Sequence, residues 1–215
     1  MPATATIVNI VEVAVLLVAF GCGMAASIMI GVTSTQMGGC VLKASVTLFD
    51  PTHFTLSYSS QSRCQFCLAA QVIGILLALV FMAYRIQVIC RGKLEIQAFG
   101  RFVATIVFGV MAFLVLVEAC LVTVGLKTFC NNLLDLEGAV WPDTCAGFQG
   151  GIDWQSIDGS AFYYNLTTAE AVSWISLLCW LCLMGISLVT SFCLNRRIGG
   201  LARAQHTARA KPVVT

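Results

Sequence analysis

Four long apolar stretches set the rhythm of this chain. Residues 7–32, 67–89, 102–126 and 171–194 each supply about 20 or more mostly apolar positions, the length that crosses a bilayer as a helix. Polar and turn-forming residues gather between them at 33–66, 90–101 and 127–170, and again after the last. Helix is the form predicted for each stretch, because lipid offers no partner to an open backbone N–H or C=O. The first stretch does not read as a secretory signal. It lacks a positive leader, and its apolar run exceeds the roughly 7–15 residues of a signal core. The predicted fold is therefore an all-α membrane protein, a four-transmembrane-helix bundle over 1–194 with a basic tail at 195–215.

Composition agrees. Of 215 residues 59% are hydrophobic and 10% charged, where a soluble domain carries about 25% charged residues. So few charges cannot wet a globule of this size, and the lipid bilayer is the first partner implied. A net charge of +2 without an aromatic-basic groove pattern excludes nucleic acid as a partner class.

Charge placement gives the orientation. The connection between the second and third stretches holds Arg91, Lys93 and Arg101, with Arg85 just inside the second stretch. The tail holds Arg196, Arg197, Arg203, Arg209 and Lys211 and no acid. The 33–66 loop has only Lys43 and Arg63, and the 127–170 loop sets Lys127 against Asp135, Glu137, Asp143, Asp153, Asp158 and Glu170. Because bases accumulate on the cytosolic side, both termini are predicted in the cytosol. The two longer loops then face the lumen or exterior, in the secretory pathway or at the plasma membrane.

Those loops carry four of the eleven cysteines, Cys40, Cys64, Cys130 and Cys145. In an oxidising space they permit three connectivities, of which the two bridges within each loop join the nearest partners. Gly138 and Pro142 can turn the chain back between Cys130 and Cys145, and closing a loop of that length contributes about 3 kcal/mol in the chain-entropy model. Within the first loop, "VTLFDPTHFTLSYSS" has strand composition broken at Asp50-Pro51 and predicts a short hairpin. The second loop is too irregular to assign.

Small residues recur at four-residue spacing as Gly23, Ser27 and Gly31 in the first stretch, and as Ala70, Gly74 and Ala78 in the second. Such ladders let helices approach closely in lipid, which predicts a seam between these two helices. Three ionisable residues lie within the stretches. Glu12 and Arg85 fall near the cytosolic face, where pairing or snorkelling accounts for them. Glu118 lies about 12 Å inside the opposite end of the third helix, with Gln71, Ser173 and Ser176 as candidate partners and a structural role expected.

Candidate chemistry is sparse. "CQFC" (Cys64, Cys67) and "CWLC" (Cys179, Cys182) have the spacing of a redox pair, and a four-helix oxidoreductase of the vitamin K epoxide reductase kind would use them. A reactive thiolate, however, needs nearby positive charge or a helix N-terminus, and Cys179 has neither. No metal site is expected, since His53 and His206 fall on opposite sides of the membrane. No cofactor or catalytic constellation assembles, and the chain is read as a non-enzyme. Cys90 and Cys193, beside cytosolic arginines, are candidates for palmitoylation. Asn165 heads the sole N-glycosylation sequon, "NLT", on the correct side but close to the membrane.

The segment "AFYYNLTTAEAVSWISLLCW" resembles the entry to the last span in the transmembrane protein 179 family, its B branch above all. The matching positions are Phe162, Tyr163, Asn165, Leu166, Ala169, Glu170, Ser173, Trp174 and Trp180. "GGC" at 38–40, "RCQF" at 63–66, "VLV" at 115–117, Ala119-Cys120, Gly125 and "FCN" at 129–131 follow in family-like order. The resemblance implies four spans and two cysteine-bearing outer loops, and brings no reaction with it. Glu118, standing where a small polar residue is expected, and the sequon threonine depart from the pattern. Claudins share the loop layout, but their Trp-Gly-Leu-Trp motif is missing from 33–66. Tetraspanins would place Cys-Cys-Gly in the second loop. The expected function is a non-enzymatic interaction, scaffold or accessory-subunit protein meeting other membrane proteins. A thiol oxidoreductase at Cys179/Cys182 and a solute or proton pathway at Glu118 are the alternatives.

Overall fold

In a computed structural model of the chain, residues 2–50, 53–91, 97–135, 144–151 and 157–209 are described. Every apolar stretch is a helix, longer than its apolar run: α1 Pro2–Gln36, α2 Gln61–Arg91, α3 Gln97–Leu134 and α5 Phe162–Arg209. The apolar parts alone, Thr6–Gln36, Gln61–Cys90, Gly100–Leu134 and Phe162–Cys193, hold 31, 30, 35 and 32 residues. At 1.5 Å per residue the shortest is about 45 Å long, against roughly 30 Å of hydrocarbon. The helices therefore cross the bilayer and protrude. The basic tail continues α5 as far as Arg209.

The four helices form a ring in which α1 packs between α2 and α5, and α3 packs between α5 and, more sparingly, α2. The start of α1, the end of α2, the start of α3 and the end of α5 lie at one end, here the terminal end. The two longer loops lie at the other, the loop end. In the first loop β1 (Ser45–Asp50) and β2 (His53–Ser57) pair antiparallel, Ser45 opposite Ser57 and Val46 opposite Leu56, with an irregularity between Leu48 and Asp50. This is the hairpin predicted on either side of Asp50-Pro51. The second loop contributes α4 (Cys145–Gly151), a helix the sequence did not announce. Gly138 and Pro142, expected to turn that loop, lie outside the described residues.

Two apolar cores fill the ring. One lies at the loop end, where Met37, Leu42, Phe129, Phe148 and Phe162 are buried together. The other gathers Leu16, Phe108, Met111, Val115, Trp180 and Leu183 towards the terminal end.

The predicted α1–α2 seam forms, but Gly74 of the second ladder does not face it. A Cβ on Gly23 would lie 3.1 Å from Ile75 and 3.3 Å from Gln71, and one on Gly31 would lie 3.8 Å from Leu68. Leu68, Gln71 and Ile75 are thus the α2 face that meets the small residues of α1. Gly74 points instead into the bundle, towards Met111 of α3 and Trp180 of α5. A spacing of four marks a close approach without saying which neighbour makes it.

Candidate functional site: two polar layers and a stapled loop end

Both in-span acids are fully buried, and each organises a layer. Glu118 on α3 sits between the two apolar cores, one turn from Val115 and one from Val122. Gln71 Nε2 of α2 donates to Glu118 Oε2 at 2.7 Å, and Ser173 Oγ of α5 donates to Oε1 at 2.9 Å. Of the two candidate serines, Ser173 is the partner. Ser176 is buried with its hydroxyl unbonded. A lone acid costs about 2.5–3.5 kcal/mol at mid-bilayer on insertion scales, and here two donors from two neighbouring helices offset that cost.

Glu12 on α1 anchors the second layer, towards the terminal end. Arg85 Nε of α2 lies 2.7 Å from Glu12 Oε2, a charge contact without hydrogen-bond alignment. Arg101 of α3 donates from Nη1 to Glu12 Oε1 at 3.0 Å and from Nη2 to Asn9 Oδ1 at 3.1 Å. The α5 hydroxyl of Ser187 lies 3.1 Å from the Arg101 carbonyl and 2.7 Å from Thr105 Oγ1. All four helices thus meet around Arg101. The pairing of Glu12 with Arg85 matches the sequence reading, whereas Arg101, read there as a loop charge, is only 2% exposed. The signal available was an acid in the first span needing a base from elsewhere. Two guanidinium groups against one carboxylate leave this layer with a formal charge of +1.

The layers are not joined. Arg101 and Glu118 are 17 positions apart on α3, about 25 Å along the axis, and the core of Phe108, Met111, Val115 and Trp180 lies between. Among the described residues no polar chain bridges that gap.

At the loop end both within-loop bridges are present, Cys40–Cys64 with a Cα–Cα distance of 5.8 Å and Cys130–Cys145 with 5.3 Å. Further bonds fasten the loops to the helices. Tyr58 donates its hydroxyl to the Met37 carbonyl at 2.6 Å, and Asn132 of α3 donates to the Ala44 carbonyl at 2.9 Å. Gln149 of α4 accepts from the Tyr164 amide of α5 at 2.9 Å. The Asp158 amide donates to the Gln36 carbonyl at 3.1 Å, and Gln36 Nε2 donates back to Asp158 Oδ2 at 3.3 Å. The Ser160 hydroxyl and amide hold the Asp158 carboxyl below its ordinary range.

The remaining candidates are dispersed. Cys179 is buried and Cys182 exposed on α5, both as free thiols. Cys182 is twelve positions beyond Glu170, about 18 Å deeper, which separates the pair from the loop disulfides. Cys90 and Cys193 are exposed free thiols towards the terminal end. Asn165 is 7% exposed inside the first turns of α5. His53 falls in β2 at the loop end and His206 in the last turns of α5.

A family model described as "Transmembrane protein 179/179B Claudin domain" matches residues 8–212. Transmembrane protein 179B of Homo sapiens is 30% identical over 182 residues, covering 83% of this chain and 81% of that protein. Its counterpart in Danio rerio is 31% identical over 179 residues, with 79% and 78% covered. No solved structure matches. The family's description carries the claudin name, although the Trp-Gly-Leu-Trp motif of claudins is missing from 33–66.

Proposed function

The chain belongs to the transmembrane protein 179/179B claudin-domain family, and on that premise we propose that it is a non-enzymatic interaction protein. It acts as a scaffold or accessory subunit whose loop end meets other membrane proteins. The observation that carries this reading is where the polar groups are spent. The buried acids and their partners are used on each other, tying helix to helix, while two disulfides and several hydrogen bonds fasten the described parts of the loop end to the helices. A surface fastened in this way presents one shape to a partner and loses little conformational freedom on binding.

The bundle over 1–194 keeps its termini and the 195–215 tail in the cytosol, with the loop end in the lumen or outside the cell. Two loop disulfides suit an oxidising compartment, and the arginines of the tail suit the anionic inner leaflet. Neither the Cys179/Cys182 pair, remote from the loop bridges, nor Glu118, with both oxygens engaged, favours a second reading.

The test is purification of the full chain in mild detergent from native membranes. Partner membrane proteins should be recovered in fixed ratio and lost when Cys130 and Cys145 are replaced by serine. A clean monomer with no such partner would overturn the proposal.

A further inference from the structure

A cleft of about 170 Å³ opens at the loop end, lined by Leu42, Lys43, Arg63, Leu121, Val124 and Gly125. Its composition is divided. Four members are apolar and belong to α3 or the loop pressed against it, and the other two are the only lysine and arginine of residues 33–66. Lys43 is exposed and Arg63 half-buried in the first turn of α2. No carboxylate lines the cleft, and among the described residues neither base forms an ion pair.

The cleft is a built feature. Lys43 adopts φ 67°, a left-handed conformation that costs a lysine on the order of 1–3 kcal/mol. It is held there because its amide donates to the Gly125 carbonyl at 3.2 Å and the Cys40–Cys64 bridge fixes the adjoining chain. Glycine is required opposite, since a Cβ at 125 would lie 2.9 Å from Leu42 Cβ.

Its height is marked by a neighbouring layer. Trp174 Nε1 donates to Thr123 Oγ1 at 3.2 Å, and Thr123 donates to Glu170 Oε1 at 2.9 Å. Tryptophan is enriched at the membrane–water interface, and Thr123 lies between Leu121 and Val124 on the same helix. Two cations at headgroup depth, above aliphatic side chains that face lipid, match an amphiphile with an anionic head. At about 170 Å³ the cleft is smaller than the roughly 300–1,000 Å³ of a drug-sized site. That size suits a headgroup, and Val124 at its edge is exposed.

We propose that this cleft binds the phosphate of one anionic phospholipid from the leaflet on the loop side, gripped by Lys43 and Arg63. With two bases and no acid in its lining, the site favours a net-negative headgroup over choline, whose cation finds no partner among the lining residues. The proposal does not depend on the partner reading above.

The test is native mass spectrometry of the full chain in micelles. Phosphatidylserine and phosphatidylcholine of equal chain length are titrated in turn, with soluble glycerophosphoserine as a third arm. One phosphatidylserine adduct is expected, at least tenfold favoured over phosphatidylcholine and not reproduced by glycerophosphoserine. Arg63→Gln should weaken it several-fold, and Lys43→Gln with Arg63→Gln at least tenfold. Lys127→Gln, outside the cleft, should not. The single variant serves if the double fails to fold. Equal binding of the two lipids, binding of glycerophosphoserine as strong as that of the lipid, or indifference to Arg63→Gln would each overturn the proposal.

Discussion

Gln71 donates to Glu118 across the sparse α2–α3 contact at 2.7 Å, and Ser173 occupies the other carboxyl oxygen from α5. Glu118→Ala would leave two buried donors without an acceptor, at about 1–3 kcal/mol for each group left unsatisfied. A lower melting temperature in detergent is the expected result. Glutamine keeps the shape, accepts from Gln71 and donates to Ser173, so Glu118→Gln should melt close to the parent protein. Proton flux into proteoliposomes should be the same for all three proteins.

The Glu12 layer makes a prediction of opposite asymmetry. Because one carboxylate faces two guanidinium groups, Glu12→Gln leaves two buried cations unopposed. Arg85→Gln leaves the neutral Glu12–Arg101 pair. Breaking a buried ion pair by removing one partner costs about 3–5 kcal/mol, and Glu12→Gln should fall in that range with Arg85→Gln well below it. Equal losses in thermal unfolding would show that the layer's net charge is unimportant.

The four spans, the hairpin and both bridges were legible because each rests on local pattern: run length, strand composition, and cysteines close in sequence. The Glu118 partners were legible in part, since so few polar side chains share its depth. Arg101 was not. It lies 89 positions from Glu12 and stands among other bases, so nothing local separates a buried arginine from a topology signal. The Lys43 conformation was hidden for a related reason. It arises where the loop meets Gly125 of α3, a contact set by tertiary packing.

That contact is testable through Gly125→Ala. The added methyl would sit 2.9 Å from Leu42 Cβ and 3.2 Å from its Cα, so loop 40–44 must lift. Overpacking of this kind costs about 1–3 kcal/mol. Amide exchange at Lys43 should quicken, while exchange in the middle of α3 stays as it was.

The turn at Asp158 should respond to acid. Its carboxyl is held below the ordinary value by the Ser160 hydroxyl and amide, so the folded form binds a proton less readily than the unfolded chain. The contribution is complete above the ordinary carboxylate range, roughly pH 4, and fades as pH falls through the lower folded value. Proteolysis near 157–161 should therefore rise at low pH, and Asp158→Asn should abolish that dependence.

The most direct test of a cytosolic terminal end and an interacting loop end uses the chain's four lysines, Lys43, Lys93, Lys127 and Lys211. An amine-reactive cross-linker that cannot pass the bilayer is applied to the loop side of sealed native membranes, and the linked peptides are mapped. Lys127, exposed on α3 at the loop end, should join a defined membrane protein, with Lys93 and Lys211 untouched until the membrane is opened. Modification of Lys93 or Lys211 in sealed membranes, or recovery of the chain only as unlinked monomer, would contradict the account.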